Sequence, residues 1–168
     1  MRIRNLLLKT MTACSLAVLS VCNAPAGAGA DQSCVDFQDN LQTAAPTPFG
    51  PFNGVSSITM GTETTGAQFI TILSGSCVVP KNIEPFDCIY AALWLFPTGD
   101  SLTAIDKLTI AFGPNPGEFI LDGSYTFTGG TGRFAKVSGK ARLQGTATAS
   151  ETGATTTRTV LTGRLCGI

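Results

Sequence analysis

Residues 125–134 read Tyr-Thr-Phe-Thr-Gly-Gly-Thr-Gly-Arg-Phe, and the side chains on both sides of them alternate in polarity. Upstream, Phe119, Leu121, Tyr125 and Phe127 share one parity with Gly123, while Asp122, Ser124, Thr126 and Thr128 share the other with Ile120 as the exception. Downstream, Ala135, Val137, Gly139, Ala141, Leu143, Gly145, Ala147 and Ala149 form one set, and Lys136, Ser138, Lys140, Arg142, Gln144, Thr146 and Thr148 the other. Successive side chains of a strand point to opposite faces, whereas a helix would scatter both sets around its surface. The stretch therefore reads as two half-buried strands joined by a turn, with Gly129, Gly130 and Gly132 supplying positive φ. The first strand sets large aromatic residues against small ones on the second, a pattern suited to the interior of a closed barrel.

The same reading predicts strands over 55–60, 67–73, 89–96, 102–112, 119–128, 135–149 and 155–165, seven or eight in all at short spacing. No amphipathic helix is expected after the first thirty residues. Such a run of strands and turns argues an antiparallel barrel or sandwich. Consecutive hairpins favour an up-and-down β-barrel of about eight strands, because closure removes the unpaired edges; a β-sandwich is the alternative. Residues 31–53, rich in polar groups and interrupted by Pro46, Pro48 and Pro51, are expected to form an irregular lead-in, and 54–168 a single barrel domain.

The front of the chain carries a different signal. Arg2, Arg4 and Lys9 precede a mostly apolar run from residue 11 to residue 21, too short to cross a bilayer. Ala26-Gly27-Ala28 and Ala28-Gly29-Ala30 follow, with small residues where a signal peptidase reads them. Residues 1–30 are expected to be a secretory signal peptide cleaved after Ala28 or Ala30, giving a secreted or periplasmic protein with no transmembrane segment afterwards. A lipid anchor at Cys22 is the rival, disfavoured by the bulky Val21 before it. Loss of the three basic residues leaves the remainder mildly acidic, since the whole chain has equal numbers of basic and acidic residues. That gives no case for a nucleic-acid partner, which needs a concentrated basic footprint. Arg133, Lys136, Lys140 and Arg142 form a local basic stripe, read as a solvated strand face or a contact for an anionic surface.

Four cysteines remain after residue 30, an even number that suits an oxidising compartment. Of the three possible pairings we favour Cys77 with Cys88 across a proline-containing bend, and Cys34 with Cys166 stapling the ends. The chain has no His and no C-x-x-C spacing. Triads of Ser, His and Asp, and the common catalytic zinc sites, are therefore excluded, and no metal or cofactor is expected. Candidate lining residues of a ligand cavity are Trp94, Phe119, Leu121, Tyr125 and Phe127. Asp122 and Arg133 are the polar candidates, although Asp122 and Tyr125 differ in parity and should face opposite sides. The other carboxylates, Asp100, Asp106 and Glu118 among them, read as solvated acids at turns and strand ends.

Taken with Pro97-Thr98-Gly99-Asp100, Gly123-Ser124, Gly139 and Leu143-Gln144-Gly145-Thr146, the Gly-Gly-Thr-Gly-Arg-Phe core resembles a group of small exported bacterial proteins without an assigned activity. It also resembles plant dirigent proteins and the wider allene oxide cyclase-like barrels. The resemblance covers roughly residues 89–166 and implies an eight-stranded barrel with an apolar cavity. Its shared residues are turn-makers, so it speaks to fold more than to activity. Arg133 falls on the shared turn, but the acids of the dirigent site and the pocket carboxylate of the cyclases have no matching positions here. Three functions follow as expectations: a non-enzymatic exported barrel binding a small apolar ligand, a structural or surface-interaction protein with a filled core, or a dirigent-like or cyclase-like catalyst working by cavity shape. The sequence leaves the oligomeric state open.

Overall fold

A computed structural model of the chain describes residues 33–47, 50–73, 77, 82 and 84–168. Eight strands follow one another: β1 (Cys34–Ala45), β2 (Phe52–Met60), β3 (Glu63–Leu73), β4 (Phe86–Leu95), β5 (Ser101–Phe112), β6 (Glu118–Gly130), β7 (Ser138–Ala149) and β8 (Thr155–Cys166). Each pairs antiparallel with its neighbour in sequence, and β1 pairs with β8, so the sheet closes into an up-and-down barrel. The expected architecture is therefore the observed one. The expected irregular lead-in is not: Cys34–Ala45 is a full strand and forms one side of the closing seam. The seven strands anticipated from alternation correspond to β2–β8, and β1 supplies the eighth.

Closure places one parity of every strand inside. On β6, Leu121, Tyr125 and Phe127 are buried and Phe119 is half-buried. Opposite them on β7 lie Gly145, Ala141, Gly139 and Ala147, each large side chain facing a small one. The row continues from Ala141 to Gly163 of β8 and then Phe37 of β1. A Cβ on Gly163 would run into the Lys140 carbonyl oxygen and the Ala141 backbone, so the strands there approach as only glycine allows.

The two ends of the barrel differ. At one, the chain leaves β6 through Gly129 (φ 113°), enters a single 3-10 turn over Gly132–Phe134 with Gly132 at φ 55°, and joins β7 at Ser138. The turn is thus longer than the hairpin expected, and of its three glycines Gly130 does not take positive φ. Gly130 instead occupies a strand position where a Cβ would strike the Ser101 carbonyl. The turn drives Phe134 into the barrel end, fully buried and stacked on Phe96 at 4.7 Å. Below this plug Phe37, Phe69, Trp94 and Phe127 pack edge-on and tilted, with Phe69 4.9 Å and Phe127 6.0 Å from Trp94. Such geometry suits the ring quadrupoles and fills this half of the interior. The other end, framed by the starts of β2, β4, β6 and β8, carries a looser rim of Phe52, Phe112 and Phe119, with Phe86 buried against it.

Two disulfides complete the fold, Cys34–Cys166 and Cys77–Cys88, the favoured pairing. Cys34 and Cys166 stand directly opposite in the seam register. Residues 1–30, the expected signal peptide, lie outside the described residues. Among the described residues no helix is long and apolar enough to cross a membrane.

Candidate functional site

Among the described residues two carboxyl groups are buried inside the barrel, Asp39 and Asp106, and their surroundings differ. Asp39 sits on β1 between the inward-facing Phe37 and Leu41. Its Oδ1 accepts from the Ser56 hydroxyl of β2 at 2.5 Å, and its Oδ2 from the Trp94 indole N–H of β4 at 2.9 Å. Burial raises its pKa to about 6, against the pull of those two bonds. Both oxygens are occupied, so Asp39 acts as a cross-barrel clamp that ties β1, β2 and β4 together.

Asp106 is less completely served. It stands in mid-β5, in register with Tyr90 of β4 on one side and Tyr125 of β6 on the other. All three side chains point inward and are almost fully buried. The Tyr125 hydroxyl donates to the Asp106 carboxylate, while Asp106 Oδ1 has no protein partner. Burial lifts the Asp106 carboxyl to about 7, partly offset by the bond from Tyr125. Burial, and then the charge of Asp106, push Tyr90 up to about 12 and Tyr125 well above the ordinary phenol value. Near neutral pH the row therefore holds one acid close to half-ionised between two phenols that keep their protons.

The row opens on a cavity of about 60 Å³ in the rim-side half of the barrel. Leu41, Phe69, Leu108, Ile110, Leu121 and Leu143 give it apolar walls, with Phe52 and Phe119 at the rim. Its polar groups come from Thr71, Tyr90, Asp106 and Tyr125, and from Thr43, Thr155, Thr157 and Thr159. Thr43 and Thr157 satisfy each other at 2.6 Å. Among the described residues, four buried side-chain atoms lack a protein partner: Thr71 Oγ1, Tyr90 Oη, Asp106 Oδ1 and Thr159 Oγ1. All four belong to residues that line this one cavity. A buried polar atom left unsatisfied costs about 1–3 kcal/mol, so their convergence is not neutral packing. A larger groove of about 280 Å³ on the barrel wall, lined by Ile70, Leu93, Ile105 and Thr128 among others, brings no such polar groups together.

The sequence-based candidates divide accordingly. Phe119, Leu121 and Tyr125 line the cavity. Trp94 and Phe127 do not; they belong to the filled half, where Trp94 packs 5.5 Å from Tyr125. Asp122 and Arg133 lie outside the barrel. Asp122 forms a two-pronged pair with Arg142 at 3.2 and 3.1 Å on the outer wall, which holds its carboxyl below the ordinary value. Arg133 covers the plugged end, 4.8 Å from the Phe134 ring centre and 3.0 Å from Glu63. Asp106, expected as a solvated acid near a turn, is instead 2 % exposed in mid-strand. Its position was readable in principle, because it shares the parity of Leu102, Ala104, Leu108 and Ile110. Asp39, Tyr90, Thr71 and Thr159 were not singled out for chemistry. Among the described residues no cluster of three metal-ligating side chains occurs. Compared with family models, curated proteins and solved structures, the chain matches none.

Proposed function

We propose that this chain is an exported small-molecule-binding barrel, with the ligand entering at the phenylalanine rim and turning a polar group towards Asp106 and Tyr90. The observation that carries this reading is the convergence of all four unpartnered polar atoms on one otherwise apolar cavity. Binding sites combine such walls with a few placed polar groups. Volume narrows the ligand. The cavity holds about 60 Å³. That is well short of the roughly 300–1,000 Å³ that encloses a drug-sized molecule. A short polar head fits inside, with the apolar body among Phe52, Phe112 and Phe119. Export belongs to the same proposal: it rests on the basic and apolar segment of residues 1–30 and agrees with two disulfides, which persist in oxidising compartments. The likeness to allene oxide cyclase-like and dirigent barrels, which implies an apolar cavity, points the same way.

The test is native mass spectrometry of the mature, oxidised protein from its exporting cell. We expect extra mass that denaturation releases. A bare chain that also takes up none of a panel of small aromatic compounds would return the protein to the structural reading, for which the filled half of the barrel already suffices. One observation favours a catalytic reading second: the Asp106–Tyr125 pair couples an acid near neutrality to a phenol in a buried site. On that reading Tyr125→Phe abolishes turnover of the released compound while the near-ultraviolet circular dichroism stays native, and retained turnover removes Tyr125 from the chemistry.

A further inference from the structure

The four unpartnered atoms also specify what kind of head group they would hold. Each is an oxygen: one carboxylate oxygen, one phenol and two threonine hydroxyls. Among the described residues Asp106 is the one carboxyl group lining the cavity, and no Lys or Arg lines it. Arg133 and Arg142, two members of the basic stripe, are engaged with Glu63 and Asp122 on the outside. An anionic ligand would therefore bring a second negative charge beside Asp106 with nothing to neutralise it. A neutral alcohol offers one donor. A protonated primary amine offers three donors and a positive charge: one N–H for the Asp106 carboxylate and two for lone pairs of the hydroxyls, whose own hydrogens can turn elsewhere. The rim adds the aromatic rings of Phe52 and Phe119, a residue type whose π-systems attract cations.

We propose that the cavity is a site for an organic ammonium group on a short apolar body, with Asp106 as its counter-charge and first acceptor, and hydroxyls drawn from Tyr90, Thr71 and Thr159 accepting its other two N–H groups. This deepens, and rests on, the reading of the cavity as a binding site. Asp39 takes no part, because Ser56 and Trp94 already occupy both its oxygens.

Three probes matched in their ring separate the possibilities: benzylamine, benzyl alcohol and benzoate, titrated at pH 8 into the oxidised protein. Calorimetry and the fluorescence of the chain's single tryptophan, Trp94, provide two readouts. We expect benzylamine to bind about tenfold more tightly than benzyl alcohol, and benzoate not to bind. Asp106→Asn should erase the preference of amine over alcohol. Alcohol binding as tight as amine, or any tight benzoate binding, overturns the head-group assignment and leaves the cavity reading standing. Failure of all three to bind the native chain overturns both. Because the ranking is read on the native chain, the assignment is tested even if the Asp106 variant does not fold.

Discussion

Burying Asp106 has a cost that depends on pH. Its pKa rises from 3.8 to about 7 on folding, so between those values the folded chain holds a proton that the unfolded chain has released. The sign follows directly. The contribution of Asp106 to stability is greatest below about pH 4, falls as pH rises through the window, and levels off above about 7. Asp39, raised to about 6, acts in the same direction over a narrower range. We predict that Asp106→Asn stabilises the barrel at pH 8 by on the order of 2–4 kcal/mol and does little at pH 4. Urea denaturation at the two pH values checks this, and equal shifts at both would contradict it. Trp94→Phe removes the N–H that serves Asp39 Oδ2 and thins the aromatic core around it. It should cost about 2–4 kcal/mol, most of it above pH 6 where the carboxylate has lost its second donor. These two acids also explain where the sequence misled. A carboxylate on an apolar parity looks like a break in the pattern, because its partners are remote in the chain: Ser56 lies 17 residues from Asp39, and Trp94 55.

Among the elements, β1 was the one hidden from sequence reading, and its inward face shows why. Phe37, Asp39, Leu41, Thr43 and Ala45 point inside, so two of its five inward positions are polar. Their polarity is satisfied only by β2, β4 and β8, through Ser56, Trp94 and Thr157. The strands from β2 to β7 were legible because their inward residues are mostly apolar and their turns carry glycine or proline; β8, with Thr155, Thr157 and Thr159 inward, was legible by its run of β-branched residues after the Gly153 turn. The cavity was half legible. Its wall on β6 follows from alternation, but the row Tyr90–Asp106–Tyr125 exists only once the register of β4, β5 and β6 is known. The pairing of β7 with β8 gives a test at this scale. Gly163→Val would force a side chain into the Lys140 carbonyl and against Ala141. Overpacking of that kind costs about 1–3 kcal/mol, and the branched side chain should also disturb the Tyr125 side of the cavity. A denaturation midpoint unchanged from the native protein would show that the two strands can separate to admit it.

For the whole molecule, the closing seam is the long-range link. Cys34 and Cys166 are 132 residues apart and face each other across it. Removing that bond, by replacing both cysteines with serine, should cost about 2–5 kcal/mol, the range for a native disulfide in a small secreted domain. Loss of Cys77–Cys88, which spans only 11 residues, should cost less. Paired denaturation curves decide the order, and the reverse ranking would mean that the seam holds without its staple. A thiol titration of the oxidised protein should find none of these four cysteines free.

The seam also sets the order of events when the chain first folds. Hairpins such as β5–β6 and β7–β8 join neighbours in sequence and can form early, whereas β1 must wait for β8, the last strand made. Until they meet, both are bare edges, each a template for the opposite edge strand of another copy. A second molecule can then donate its β1 to the waiting β8, giving an exchanged pair of barrels instead of two closed ones. High concentration during refolding should favour that exchange, and a Cys34–Cys166 bridge between two molecules would preserve it as a covalent record of the first encounter.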